Sequence, residues 1–172
     1  MPHSMTLREI KIEDKDLFIA AIQKSESLHY PWVTAPKNSE EFEAYIKNYE
    51  GDQSKSFLLV DNFENIAGVF NINQIVRGLL QSGYLGFYAI EGYAGQGIMS
   101  LGLKLVLKKA FRELGLHRLE ANIQPDNNRS INLVKNNGFK QEGYSPRYLK
   151  INGTWRDHER WAMTYEDWEF TK

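Results

Sequence analysis

Two glycines separated by one residue, Gly95 and Gly97, stand where an apolar stretch gives way to a helical pattern. Glycine lets the backbone approach a ligand closely, and the free N–H groups at the start of a helix attract anions. The pattern therefore predicts a site for a phosphate or pyrophosphate, bound by backbone groups rather than by basic side chains. The alternative is a tight strand-to-helix turn without a ligand, and the glycine spacing favours the ligand.

Two other phosphate-binding motifs fit this turn poorly. A P-loop needs Gly-x-x-x-x-Gly-Lys-Ser/Thr, and the sequence contains no such run. A dinucleotide fingerprint needs a third glycine three residues after the second, but that position is Ser100. The turn also lies in the middle of the chain, whereas a dinucleotide fingerprint is expected early in it.

The turn resembles the acyl-coenzyme A (CoA) pyrophosphate turn of the GNAT superfamily of N-acetyltransferases, whose usual form is Gln/Arg-x-x-Gly-x-Gly/Ala. With Gly97 aligned, Ala94 replaces the Gln/Arg and Met99 replaces the final small residue. Both departures look like the RimJ/RimL-like branch of ribosomal-protein N-acetyltransferases, where GKGIMT-type turns are familiar. Three more segments resemble that branch in the same order along the chain: residues 28–32, 117–143 and 151–157.

The resemblance implies acetyl-CoA as the co-substrate and calls for no metal. It assigns cofactor binding to the end of a strand, the glycine turn and the start of a later helix: Tyr88, Ala89, Ile90, Gly95, Gln96, Gly97, Ile98, Met99, Ser100 and Asn127. Residues of an aromatic loop and of a neighbouring strand are candidates for contact with the acceptor: His29, Tyr30, Trp32, Asn71 and Asn73. These five positions are equally consistent with packing or with solvent exposure.

Asn127 and Ser130 each have a structural and a functional interpretation. Asparagine is a favoured helix N-cap, and the resemblance adds a cofactor contact for Asn127, with Asn128 as its rival. Many GNAT enzymes protonate the departing CoA thiolate with a tyrosine four residues after the position of Ser130, where this chain has Val134. In the RimL-like branch the helix serine is the proposed donor, so Ser130 is the predicted catalytic residue.

Amine acetylation also needs a hydrogen-bond donor for the oxyanion and a neutral amine. A strand amide around Tyr88–Ile90, freed from its ladder by a bulge, is the predicted donor. A free α-amine titrates near pH ~7.7–8.0, so part of it is already neutral at pH 7. No general base stands out. Glu64 and Glu91 are candidates by position only, and a water relay is equally consistent.

The chain has 172 residues, a net charge of −1 and no cysteine. The length predicts one domain over residues 1–172, and the charge provides no basic field for nucleic acid. Without cysteine an acyl-cysteine intermediate is excluded, which favours direct attack in a ternary complex. The four histidines lack metal-ligand spacing. The sequence shows neither a signal peptide nor a membrane-spanning run, so we expect a cytoplasmic monomer or homodimer without membrane contact.

Hydrophobic periodicity predicts the elements that position these residues. The predicted order is β, α, α, β, β, β, α, β, α, β, β, with the glycine turn between a strand at Gly83–Ile90 and a helix at Gly97–Leu114. Residues 25–37 are predicted as a loop, and a capping box at Asn38 and Glu41 opens the second helix. This order predicts an α/β (α+β) single-domain fold with a mixed central sheet of about seven strands and helices on both faces. It is also the order of the GNAT fold.

The sequence thus predicts an acetyl-CoA-dependent N-acetyltransferase that acts on a primary amine. The favoured acceptor is a protein N-terminal α-amine of the ribosomal-protein type. Two alternatives stay open: a small-molecule N-acetyltransferase for a polyamine, amino acid or antibiotic, and a non-catalytic acyl-CoA-binding module. The missing tyrosine and the unidentified base are the reasons for keeping the binding module.

Overall fold

The computed structural model describes residues 4–171 and contains a seven-stranded sheet with helices against it. The strands are β1 (Thr6–Glu9), β2 (Lys55–Val60), β3 (Ile66–Val76), β4 (Ser82–Ala89), β5 (Arg118–Ile123), β6 (Lys140–Ile151) and β7 (Thr154–Thr164). The α-helices are α1 (Lys15–Lys24), α2 (Glu26–His29), α3 (Ser39–Tyr49), α4 (Ile98–Lys108), α5 (Asn128–Asn136) and α6 (Tyr165–Glu169). The strand order is β1-β2-β3-β4-β5-β7-β6, and only the β4–β5 pairing is parallel. The predicted mixed sheet is confirmed.

Side chains that alternate along the central strands divide the hydrophobic core between the two faces of the sheet. Phe70 of β3 belongs to the same buried cluster as Leu103 of α4. Its neighbour Val69 belongs to a second cluster, with Phe18 of α1 and Phe42 of α3. All five side chains are fully buried. Helices therefore cover both faces of the sheet, as predicted.

The two parallel strands diverge towards their C-terminal ends. They pair only over Ser82–Tyr84 and Arg118–Glu120, although β4 continues to Ala89 and β5 to Ile123. Over Leu85–Ala89, where β5 no longer pairs with it, β4 stays paired with β3 in continuous register. The predicted bulge around Tyr88–Ile90 is therefore wrong. Amides of β4 are freed because the strand on its other side departs, which opens a gap in the sheet.

Local structure differs from the prediction at three further places. The predicted loop 25–37 begins with the short helix α2. The predicted helix Gly97–Leu114 is α-helical only to Lys108 and continues as a π-helix over Lys109–Glu113. Helix α6 was not predicted at all. The start of α3 is as predicted, but the capping box is only half formed: Asn38 Oδ1 accepts from the Glu41 N–H, whereas Glu41 Oε2 accepts from the Lys37 N–H. None of the described helices is long and apolar enough to cross a membrane.

Candidate active site

The gap between β4 and β5 forms a cleft of ≈ 780 Å³, a volume in the usual range of roughly 300–1,000 Å³ for small-molecule sites. One wall is the end of β4 with the glycine turn that follows it, and the opposite wall is the end of β5 with the first turns of α5. Helix α2, the loop after it and the β6–β7 hairpin complete the lining. The cleft thus brings together segments that are far apart in the sequence.

The glycine turn needs glycine because of its backbone conformation. The φ angles of Gly95 and Gly97 are 76° and 74°, in the left-handed region that side-chain-bearing residues rarely adopt. A Cβ atom at either position would meet no atom within 4 Å, so the space over the turn is open. Gly97 is the N-cap of α4, whose first N–H groups lack intrahelical partners. This open, backbone-lined cradle fits a pyrophosphate.

The side chains of the other predicted cofactor residues in this turn are engaged with the protein. Gln96 donates from Nε2 to a backbone carbonyl of the turn at 2.7 Å, and Ile98 is buried in the core. Ser100 donates from Oγ to Asn137 Oδ1 at 3.1 Å. Met99 and Ser100 line the cleft, whereas Gln96 and Ile98 do not. Contact with a phosphate is therefore expected from backbone N–H groups.

Tyr93 fixes the turn to the hairpin formed by β2 and β3. Its hydroxyl donates to Asp61 Oδ2 at 2.9 Å. The carboxylate of Asp61 also accepts hydrogen bonds from the backbone N–H groups of Phe63 and Asn65, each at 2.9 Å. Burial raises the pKa of Asp61, but the hydrogen bonds from Asn65, Phe63 and Tyr93 outweigh burial and lower the pKa to about 2. The ionised carboxylate is a strong acceptor for the Tyr93 hydroxyl.

Among Tyr88, Ala89 and Ile90, the three positions predicted to contact the cofactor at the end of β4 and just after it, only Ala89 directs its amide into the cleft. The N–H of Ile90 donates to the carbonyl of Ala67 on β3 at 3.0 Å. Residues of an antiparallel strand alternate in direction, so the backbone of Tyr88 also faces β3 and that of Ala89 faces away. The carbonyl of Ala89 accepts a hydrogen bond from His29 Nε2 at 2.7 Å, which agrees with this direction. The N–H groups of Ala89 and, by the same alternation, of Phe87 therefore face the cleft and are free to bind an oxyanion.

Asn127 and Ser130 come together at the start of α5. The side chain of Asn127 accepts a hydrogen bond from the backbone N–H of Ser130 at 3.3 Å, so Asn127 caps the helix. Both residues line the cleft, whereas the rival Asn128 is exposed and does not. Val134, one turn after Ser130, is fully buried in the core rather than in the cleft. The geometry thus favours Asn127 and Ser130, and their roles stay predictions.

The three residues of the aromatic loop that are proposed to contact the acceptor line the cleft, and that contact stays a prediction. His29 is 6% exposed, while Tyr30 lies at the mouth of the cleft and is 74% exposed. Trp32 also lines the cleft. Asn152 in the β6–β7 turn donates from Nδ2 to the carbonyl of Pro31 at 3.3 Å, and its Oδ1 accepts from Thr34 Oγ1 at 2.6 Å. These bonds tie the loop to the hairpin on the far side of the gap.

The geometry does not bring Asn71 or Asn73 to the cleft. Asn71 is buried, and its Oδ1 accepts hydrogen bonds from the Tyr45 hydroxyl at 2.9 Å and from Ser56 Oγ at 2.7 Å. Asn73 Oδ1 accepts from the Tyr49 hydroxyl at 2.7 Å. Both asparagines therefore connect β3 to α3. Asn71 also lines a neighbouring cavity of ≈ 550 Å³.

The two acidic residues considered as bases lie away from the cleft. Glu64 pairs with Arg8 at 3.1 Å, and Glu91 is exposed beyond the end of β4. Neither lines the cleft. Within residues 4–171, no group of three or more His, Asp or Glu side chains is arranged to hold a metal ion.

Two polar residues of the cleft were not found by sequence reasoning. His158 of β7 is 3% exposed, and its Nδ1 lies 2.9 Å from the carbonyl oxygen of Arg156. Asn122 of β5 has a buried Oδ1 with no hydrogen-bond partner in the described part of the chain. A single histidine or asparagine in a strand has no characteristic spacing, so only the folded structure reveals these positions.

Comparison with known proteins gives a consistent family. Residues 4–140 match the family model described as an acetyltransferase (GNAT) domain. The [Ribosomal protein uS5]-alanine N-acetyltransferase of Escherichia coli (strain K12) is 39% identical over 105 residues, which are 61% of this chain and 54% of that enzyme. The chain thus aligns with about half the length of that relative.

Solved structures extend the likeness to nearly the whole chain. The ribosomal-protein-S5-alanine acetyltransferase from Vibrio fischeri superposes with a TM-score of 0.83 and 27% identity, over 98% of this chain and 96% of that one. The spermidine N-acetyltransferase from Vibrio cholerae, in complex with CoA and spermine, has a TM-score of 0.82 over 96% of this chain and 98% of that one. At 21% identity, this second likeness shows the fold alone.

Proposed function

The chain belongs to the GNAT acetyltransferase family, and from that premise we propose that its acceptor is the α-amine at the N-terminus of a protein. The enzyme is an N-acetyltransferase that uses acetyl-CoA. In the proposed reaction the neutral amine attacks the thioester directly, since the chain has no cysteine to carry the acetyl group. The likeness to the ribosomal-protein uS5-alanine enzyme supports this acceptor class.

The observation that carries the proposal is the charge of the cleft. Among the described residues that line it there is no carboxylate, and Arg129 is the one side chain that is always charged. A polyamine carries several positive charges, and burying them without counter-charges is costly. A single α-amine titrates near pH ~7.7–8.0 and enters the cleft neutral at little cost. The cleft therefore favours a peptide N-terminus over a polyamine.

The residues of the cleft divide the chemistry between them. The amides of the glycine turn would hold the pyrophosphate, and the N–H groups of Phe87 and Ala89 would donate to the oxygen that becomes negatively charged. Ser130 Oγ would donate a proton or hydrogen bond to the departing thiolate. Acetyl-CoA supplies the activated acyl group, and the chain supplies position and polar contacts.

Thiol release from acetyl-CoA, measured with a panel of acceptors, tests the proposal. The panel contains peptides with N-terminal alanine or serine, the same peptides with a formylated N-terminus, and spermidine. We expect kcat/KM for the free peptides to exceed that for spermidine by at least ~10-fold, about 1.4 kcal/mol in transition-state binding. The formylated peptides should give no thiol.

The same assay separates the proposal from its alternatives. Preference for spermidine or another small amine would assign a small-molecule acetyltransferase. Binding of acetyl-CoA by calorimetry without thiol release for any acceptor would assign a non-catalytic module. We further propose the cytoplasm as the location, where acetyl-CoA and new protein N-termini meet, and a monomer or homodimer as the assembly.

A further inference from the structure

The cleft continues into a second cavity on the face of the sheet that carries α3. This cavity has a volume of ≈ 550 Å³ and lies between α3, residues 33–36 of the loop after α2, and strands β3 and β4. Four residues line both spaces: Val33, Gly86, Phe87 and Tyr88. Because the N–H of Phe87 is free to bind an oxyanion, the two spaces meet beside the proposed reaction centre.

Gly86 leaves the passage between the two spaces open. It pairs directly with Asn71 across β3 and β4, so a side chain at position 86 would stand beside the Asn71 side chain on the same face of the sheet. A Cβ atom at Gly86 would meet no atom within 4 Å, and the φ of Gly86 lies outside the left-handed region. Neither backbone conformation nor packing therefore requires glycine here, and what its missing side chain provides is space.

Asn71 offers a hydrogen-bond donor to this space. Its Oδ1 is occupied, because it accepts from the Tyr45 hydroxyl at 2.9 Å and from Ser56 Oγ at 2.7 Å. These bonds fix the carboxamide and leave Nδ2 without a described partner. Nδ2 is not among the buried side-chain atoms that lack a partner in the described chain. It is therefore accessible from the cavity that Asn71 lines.

The part of the cavity beside Asn71 is polar but uncharged. Glu41 is the one charged side chain among the described residues that line the cavity, and it is exposed on α3. Its Oε2 accepts from the backbone N–H of Lys37 at 2.9 Å. A charged group buried without a partner is costly, whereas an uncharged group with a hydrogen-bond acceptor can pair with Nδ2.

A peptide N-terminus branches at the carbon next to its amine. The chain must leave towards the rest of the acceptor protein, and the mouth of the cleft at Tyr30, which is 74% exposed, provides that exit. The side chain of the first residue is the other branch. We propose that the second cavity is a specificity pocket, which receives this side chain over Gly86 and binds an uncharged polar group through Asn71 Nδ2. This proposal rests on the proposed acetylation of a protein N-terminus.

Four peptides that differ only in their first residue test the pocket: alanine, asparagine, leucine and arginine. Asparagine and leucine are similar in size, but only asparagine can hydrogen-bond to Nδ2. Thiol release is measured with the wild type and with Gly86→Val, which fills the passage with a residue that strands favour. Gly51→Val is the matched control, since Gly51 is exposed, has open space around it and lines neither cavity. Thermal melting checks folding, and calorimetry checks acetyl-CoA binding.

For the wild type we expect kcat/KM with the asparagine peptide to exceed that with the leucine peptide by ~5-fold or more, because only asparagine satisfies the buried donor. Gly86→Val should lower the ratio of kcat/KM between the asparagine and alanine peptides by ~10-fold or more, since the larger side chain can no longer pass. The control Gly51→Val should keep the wild-type ratio.

Three results would overturn the proposal. They are equal kcat/KM of the wild type for the alanine, asparagine and leucine peptides, a wild-type ratio in folded Gly86→Val, and a preference for arginine. The last would assign selection to the carboxylate of Glu41 instead of the amide of Asn71. Thiol release with none of the four peptides is a different result, which contradicts the proposed function itself.

Discussion

At the scale of single residues, Gly97 is the predicted pyrophosphate contact that begins α4 and lines the cleft. Gly97→Asp would place a carboxylate beside the N–H groups that we expect to bind pyrophosphate and would force a side chain into a φ of 74°. We expect acetyl-CoA binding to become undetectable by calorimetry while the fold is kept, with a backbone strain of about 1–2 kcal/mol.

Gly51→Asp is the matched control for this change. Gly51 is exposed, has open space around its Cβ position and does not line the cleft. The control should bind acetyl-CoA as the wild type does. A folded Gly97→Asp variant with wild-type affinity would remove the pyrophosphate site from this turn.

Ser130 is the predicted catalytic residue with the least support from contacts, since no hydrogen bond is described for its hydroxyl and its backbone N–H donates to Asn127. Ser130→Ala removes the hydroxyl that would protonate the thiolate. We expect the rate of acetyl transfer to fall by ~10²-fold, with cofactor affinity unchanged, because the hydrogen bond strengthens only as charge develops on sulfur. Single-turnover kinetics measure the chemical step, and a wild-type rate there would refute the role.

A tyrosine at Val134, the position of the usual acid of the superfamily, would have to fit into the core. Val134 is fully buried and belongs to the core cluster under α5. A larger side chain there overpacks the core, at a cost of about 1–3 kcal/mol. We therefore expect Val134→Tyr to destabilise the fold rather than to supply a proton donor in the cleft.

At the scale of elements, the start of helix α5 depends on Asn127, which both caps the helix and lines the cleft. Asn127→Ala should lower the free energy of unfolding by about 0.5–2 kcal/mol through the lost cap. If Asn127 also contacts the cofactor, acetyl-CoA affinity should fall as a separate effect. Urea unfolding and calorimetry measure the two quantities, and Asn128→Ala is the exposed control. A stability loss with unaltered affinity would leave Asn127 only its structural role.

Features that depend on a few neighbouring residues could be predicted from the sequence, whereas features that depend on pairing between distant strands could not. The N-caps at Asn38 and Asn127 and the glycine turn depend on a few neighbouring residues, and their geometry is as expected. The gap between β4 and β5, by contrast, involves strands that are distant in sequence: β5 stays paired with β7 over its whole length, while its pairing with β4 ends at Glu120. The bulge was therefore predicted where a gap exists, and His158 was not recognised as part of the cleft.

At the scale of the whole molecule, two buried histidines make stability depend on pH. Burial lowers the pKa of both His29 and His158 in the folded state. The unfolded chain binds these protons near pH ~6.5, so it holds more protons than the fold just below that pH. The contribution of the two buried, neutral histidines to the free energy of unfolding is therefore complete above pH ~6.5 and is lost as the pH falls below it.

Urea unfolding at about pH 7.5 and about pH 5.5 tests this dependence. The wild type should lose stability at the lower pH, and the double variant His29→Gln/His158→Gln should lose less. Asp61 does not interfere, because its pKa of about 2 places its own effect at lower pH. An equal loss in both proteins would show that the two rings are not buried as neutral groups.

The position of the acetyl group on a product peptide tests the central claim most directly. The substrate is a peptide with a free N-terminal alanine and one internal lysine, incubated with the wild-type protein and acetyl-CoA and sequenced by tandem mass spectrometry. A lysine amine titrates near pH ~10.4 and is almost fully protonated at pH 7, unlike the α-amine. We predict acetylation at the N-terminal nitrogen alone. Acetylation of the lysine side chain, or of neither amine, would contradict the account.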